Sequence, residues 1–272
     1  MEIKNPYQRF LYENNINEII MGFDIDGCMV PLTEYNVGLI NDLFYFNKYP
    51  NIAEKLFESP VTIEDMINFD YSKSLNIEDD ERDKIFDLLQ DNKLLEEIGI
   101  YPYAADVMNT INSVCKKTNK IVTSRGNYYS NAKEQTTKFL DMHKVNYKNN
   151  LIFDSDKPKV SGKYNINTFV EDRLKTVIEL ADAGIFVFMP DHYHNNIKTE
   201  ICRELEIDKE KLERFKYVQN HKNVLRVDEP YWINMAITFS EASDIFRLLK
   251  KYELLKAYIL LNQKNGRNQK VQ

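Results

Sequence analysis

Ile19-Ile20-Met21-Gly22-Phe23-Asp24-Ile25-Asp26-Gly27 is the stretch on which the reading of the chain turns. An apolar run that stops at two carboxylates and a glycine describes a buried strand ending in a polar loop. In an open α/β sheet, chemistry gathers at the carboxyl ends of the strands. Two acids placed there can hold a metal, attack a phosphorus or move a proton. The same residues also suit an ordinary turn, because Asp and Gly are common turn formers. The rest of the 272-residue chain has to separate the two.

Working outward, residues 1–18 predict a short lead-in helix, and residues 19–23 the first strand. From Pro31 to Gly99 the period changes. Leu39, Ile40, Leu43 and Phe44, and later Ile85, Leu88 and Leu89, recur at helical spacing between the breakers Pro50 and Pro60. That predicts a small helical insert. Ala104, Val107, Met108, Ile111, Val114 and Cys115 then form one apolar stripe. Strands are expected at 120–123, 151–153, 168–170 and 185–189, with helices at 130–143 and around Leu174 to Ala181. Residues 196–222 predict a helical excursion, Val224 to Val227 an edge strand, and residues 240–261 a final helix.

Strands alternating with helices imply an α/β fold with a doubly wound parallel sheet. The expected segments are a lead-in with the first strand (1–32), a helical cap inserted after that strand (33–100), the rest of the core (101–195) and a mostly helical C-terminal extension packed on it (196–272).

Composition narrows the function classes. Hydrophobic residues at 43% and charged residues at 29% suit a soluble protein with a sizeable core. A formal charge of −6 argues against an obligatory nucleic-acid binder, which would show a basic face. Three cysteines are an odd number at no metal-like spacing, which points to a reducing compartment. No apolar run is long enough to span a membrane, and the polar start is unlike a secretory signal. A cytoplasmic protein is expected.

Three further sites fall where a phosphoryl-transfer centre needs them. Thr123 and Ser124 end the second core strand, where a hydroxyl and backbone N–H groups can hold phosphate oxygens. Lys157, Lys159 and Lys163 precede the fourth strand and offer an ammonium. Glu171-Asp172 ends that strand, so that its carboxylate can join Asp24 around a cation. Oxygen donors without His or Cys favour Mg²⁺ over zinc.

Asp24-Ile25-Asp26-Gly27, Thr123, a lysine and Glu171-Asp172, in that order, resemble the four motifs of the haloacid dehalogenase-like (HAD) hydrolases, over roughly residues 19–195. The resemblance implies a Rossmann-like core with the helical cap of that superfamily. Thr123-Ser124-Arg125-Gly126 and Phe169-Val170-Glu171-Asp172-Arg173 are similar to the 5′(3′)-deoxyribonucleotidase type and its bacterial and phage relatives. So is the run from Val187-Phe188-Met189 to Tyr193 and Asn195.

By that resemblance Asp24 is the nucleophile, and Asp26 the general acid and base whose backbone carbonyl also ligates Mg²⁺. Asp172 is the other metal ligand, with Glu171 just outside it. Thr123, Ser124 and Arg125 face the substrate, and Gly27 permits the sharp turn. The site lysine is expected to be Lys157, with Lys163 second. Cys28 departs from the Thr or Val usual at its position. The implied activity is a Mg²⁺-dependent phosphomonoesterase acting on (deoxy)nucleoside monophosphates. Its alternatives are a phosphatase for another small ester or for nucleic-acid ends, and a HAD-fold binding or regulatory protein without catalysis.

Other features have plainer explanations. Phe44, Tyr45, Phe46, Phe69 and Tyr71 suit helix packing better than a base-stacking pocket. Trp232, beside Pro230 and Tyr231, suggests packing of the C-terminal section. His192, His194 and His221 lack metal-ligand spacing. The extension could serve a homo-oligomer or a protein partner.

Overall fold

The structure is a computed structural model that describes residues 5–46, 60–66, 71–80, 82–83, 98–115, 119–127, 131–195 and 209–242. The strands are β1 (Met21–Phe23), β2 (Lys120–Thr123), β3 (Leu151–Phe153), β4 (Thr168–Val170), β5 (Phe186–Pro190) and β6 (Val224–Val227). They form one parallel sheet in the order β3-β2-β1-β4-β5-β6. From β1 the chain winds outward through β2 and β3, then returns to place β4 on the other side of β1. This reversal opens a crevice at the carboxyl ends of β1 and β4. Asp24 and Glu171-Asp172 follow those two strands directly.

The helices are α1 (Pro6–Glu13), α2 (Leu32–Phe46), the short α3 (Tyr71–Leu75), α4 (Ala104–Val114), α5 (Ala132–Met142), α6 (Lys157–Tyr164), α7 (Leu174–Asp182), α8 (Lys209–Asn220) and α9 (Tyr231–Ala242). Alternate residues of a strand face opposite sides of a sheet, and the buried core divides accordingly. Phe23, Phe186 and Phe188 join Tyr7, Trp232 and Phe239 on one face, while Phe169, Val187 and Met189 join Val177 and Leu180 on the other. The lead-in helix belongs to the first of these. Tyr7 lies 4.9, 5.1 and 4.9 Å from the rings of Phe186, Phe188 and Phe239, and its hydroxyl is 3.0 Å from Thr168 Oγ1.

Gly22 is set opposite Phe169, whose ring lies 2.2 Å from where a Cβ would stand. Only a glycine lets the ring cross β1 there.

The structure departs from expectation in three places. The Lys-rich stretch before β4 is the helix α6, started by the Asp156 side chain accepting from Lys159 N at 3.1 Å and by Pro158 in the first turn. Ile19 and Ile20 are buried but precede the ladder of β1. The C-terminal helix begins at Tyr231, well before residue 240. The part of the expected final helix past residue 242 lies outside the described residues. So do Ile85, Leu88 and Leu89 and the side chains of Phe44, Tyr45, Phe46, Phe69 and Tyr71. Among the described residues no helix is long and apolar enough to cross a membrane.

Candidate active site

The loop after β1 is closed by its own backbone. Asp24 N donates to Val170 O at 3.0 Å, carrying the β1–β4 ladder one residue past the strand. Ile25 O then accepts from Cys28 N (3.2 Å), Met29 N (2.7 Å) and Val30 N (3.1 Å), which folds residues 25–30 into a tight turn. Gly27 has φ +72, and a Cβ on it would stand 2.0 Å from Asp172 Oδ2. Both the backbone conformation and the closeness of the carboxylate require glycine here.

The crevice holds a buried charge cluster. Asp24 is 8% exposed, Glu171 1%, Asp172 2% and Lys157 3%. Lys157, in the first turn of α6, puts its Nζ 2.9 Å from Asp24 Oδ2 and ion-pairs with Glu171 Oε2 as well. Glu171 Oε1 accepts from Arg173 N at 3.0 Å.

Burial raises the Asp24 carboxyl well above the usual carboxylate range. Lys157 opposes that shift, and the carboxylates of Glu171, Asp172 and Asp26 add to it. Burial acts downward on the Lys157 ammonium, but the two carboxylates beside it outweigh this and hold it protonated. Asp172 is held below its usual value: burial acts upward, and the hydrogen bond and field of His194 overcome it.

Three buried acids share one buried lysine, so the ionised form of Asp24 needs a further counter-charge, which a cation would supply. Ligand atoms of Asp24, Asp172 and Cys28 all lie within 4.8 Å of one another. Two oxygens bound to one Mg²⁺ at about 2.0–2.1 Å can stand slightly over 4 Å apart, so the carboxylate pair fits such an ion with little adjustment. Burial and the adjacent carboxylates raise the Cys28 thiol, which disfavours its thiolate and leaves ligation to oxygen.

The other candidates divide. Thr123 is fully buried at the end of β2, its Oγ1 accepting from Arg125 N at 3.3 Å, and Ser124 follows, half-buried. The Arg125 side chain, expected at the substrate, is engaged with Asp26. Its guanidinium is buried over the Phe139 ring at 5.5 Å and grips Asp26, with Nε 2.9 Å from Oδ2. Nη2 of Arg125 reaches Asp26 Oδ1, completing a two-point hold on that carboxylate. Of the lysines, Lys159 and Lys163 are exposed on α6 and only Lys157 enters the cluster. Lys163 lies over the Tyr164 ring, 5.1 Å from its centroid.

Two histidines dismissed on spacing belong to the site. His194 donates from Nε2 to Asp172 Oδ2 at 2.9 Å, with both side chains buried. His192 reaches Gly27 O through Nε2. Asn195 holds the segment in place, donating to Asp172 O and Pro190 O at 2.8 Å each. Their spacing carries no metal signal because they contact a carboxylate and a carbonyl. The available clue was their position: they directly follow β5, at the same sheet edge as the acids.

Comparison with known proteins bears on the fold and the family. Among the solved structures that share the fold are the following two. A HAD family hydrolase from Deinococcus radiodurans R1, solved with bound phosphate and sodium, gives a TM-score of 0.50 at 10% identity, covering 83% of this chain and 96% of that one. A conserved haloacid dehalogenase-like protein of unknown function from Agrobacterium tumefaciens str. C58 gives 0.50 at 13% identity, covering 84% and 100%. No curated protein matches the sequence. The family model described as 5′ nucleotidase, deoxy (pyrimidine), cytosolic type C protein matches residues 18–206. Because that match spans more than half of the chain and takes in Asp24, Lys157, Glu171 and Asp172, the chain belongs to this 5′-nucleotidase family of HAD-like hydrolases and is a phosphoric monoester hydrolase.

Proposed function

We propose that the protein is a Mg²⁺-dependent nucleotidase of the cytosol that releases phosphate from (deoxy)nucleoside monophosphates through a phosphoaspartate on Asp24. The observation that carries this reading is the convergence of Asp24 and Asp172 within 4.8 Å, with Lys157 Nζ 2.9 Å from Asp24, at the crevice of the sheet. The family to which the chain belongs supports the substrate class.

Asp24, Asp172 and the backbone carbonyl of Asp26 would hold the metal, which when bound offsets charge on the phosphoryl oxygens. In the first step an Asp24 oxygen attacks phosphorus, the bond to the ester oxygen breaks, and Asp26 gives that oxygen its proton. In the second, Asp26 takes a proton from water, which attacks the phosphoaspartate and frees phosphate and Asp24. Arg125 keeps the Asp26 carboxyl aimed through both steps. Charge grows on three equatorial oxygens during transfer, and Lys157, Thr123 Oγ1 and Ser124 N are the groups of this chain that would meet it.

The test is a substrate panel of 5′- and 3′-(deoxy)nucleoside monophosphates, sugar phosphates and 3′-phosphorylated oligonucleotides. A kcat/KM for the nucleoside monophosphates at least about tenfold above the rest is expected, from contacts to the leaving nucleoside. A preference for sugar phosphates or oligonucleotide ends would replace the substrate assignment.

The histidine contact yields a separate prediction. Residues that orient a metal ligand typically influence affinity by about 10–100-fold. His194→Ala is expected to weaken Mn²⁺ or Mg²⁺ binding by about that factor in calorimetry, with His194→Gln, which keeps an N–H donor, recovering part of it. Equal affinity in all three proteins would remove His194 from the site.

A further inference from the structure

Helix α9 lies beyond residues 18–206, the part of the chain that the family model matches, yet it holds the loop that carries Asp24. Trp232 Nε1 donates to Cys28 O at 3.0 Å, and its ring stacks at 5.9 Å on Phe23, the residue before Asp24. One residue earlier, the Tyr231 hydroxyl donates to Asp191 O at 3.0 Å and lies 3.3 Å from His192 Nδ1. His192 Nε2 in turn contacts Gly27 O. A carbonyl only accepts, so the His192 proton is on Nε2. Two successive carbonyls of the loop, those of Gly27 and Cys28, are therefore held from outside it. Trp232 holds one directly, and Tyr231 supports the other by donating to Asp191 O, the carbonyl leading into His192, and by packing edge-on against the His192 ring at 5.0 Å. All three of these side chains are buried.

We propose that α9 is a strut for the catalytic loop, with Trp232 and Tyr231 as positioning residues for the hydrolysis. Fixing two carbonyls fixes two planar peptides, and with them the course of the chain from Gly27 to Met29, directly after Asp26. A displacement of about 1 Å in a reacting group can cost about a hundredfold in rate, so a loop that carries both the nucleophile and the proton donor needs such external restraint. The proposal rests on the reading of Asp24 as nucleophile.

Three variants, each removing one hydrogen-bonding group, test it: Trp232→Phe, Tyr231→Phe and, as the control, Tyr7→Phe. Tyr7→Phe removes a buried hydroxyl contact to Thr168 at the amino end of β4, the sheet edge opposite the site. All three should lower Tm by a similar small amount. Trp232→Phe and Tyr231→Phe are expected to lower kcat about tenfold with KM within about twofold, and Tyr7→Phe to leave both within about twofold. The strut is overturned if the α9 variants lose no more kcat than Tyr7→Phe at matched Tm. Should Trp232→Phe fail to fold, Tyr231→Phe decides alone. Asp24→Asn is run beside them. If that variant stays active the nucleophile reading fails, and if it is inactive while the α9 variants match the control, only the strut fails.

Discussion

Asp24→Asn is expected to lower kcat by about 10⁴-fold or more, the scale on which removal of an attacking group acts. An amide in place of the carboxylate cannot form the acyl phosphate, and it weakens any cation shared with Asp172. The fold should survive. Lys157 keeps Glu171 as an ion-pair partner, and burial already opposes charge at position 24. The check is steady-state phosphate release beside circular dichroism and Tm. Incubation with substrate followed by intact-mass measurement under acid quench should find a phosphoryl adduct on the parent protein and none on the variant. Full activity in the variant would end the phosphoaspartate scheme.

Lys157→Met is the second large effect, and unlike the first it acts on both stability and rate. The substitution leaves Asp24, Glu171 and Asp172 buried together without their lysine. Taking one partner from a buried ion pair typically costs about 3–5 kcal/mol, because the other charge stays behind unpaired. In a chain of this size that corresponds to a Tm loss on the order of 10 °C. Loss of the ammonium beside the transferring phosphoryl group should also lower kcat about a hundredfold or more. Calorimetry and kinetics on Lys159→Met and Lys163→Met provide the contrast. Both side chains are exposed, so neither quantity should move. If Lys163→Met behaves like Lys157→Met, the assignment of the site lysine is wrong.

The sheet was legible in the sequence because its strands announce themselves twice. Each is a short, mostly apolar run, and all six stop at a polar residue on the same edge: Asp24, Ser124, Asp154, Glu171, Asp191 and Asp228. Burial on both faces makes such runs continuous, and the alternation with helices then dictates parallel order. The α6 helix was harder to read, since Gly162 and three lysines hide a turn that Asp156 and Pro158 start.

At the site, the acids could be read from position alone, whereas contacts across the fold could not. Arg125 is expected at the substrate by resemblance, whereas the packing of Phe139 and Thr136 sets its guanidinium against Asp26, a contact no local pattern announces. His194 lies 22 residues from Asp172 and has no local pattern linking the two. Its role depends on β5 lying next to β4, a property of strand order.

Trp232 is the sole tryptophan of the chain, and its indole proton is committed to a main-chain oxygen one residue past Gly27. Intrinsic emission excited at long ultraviolet wavelength therefore comes from a single fluorophore wired to the reactive turn. Titrating a divalent salt or a phosphate mimic into unlabelled protein should give one clean optical signal, so that occupancy can be followed in real time without a chromogenic ester.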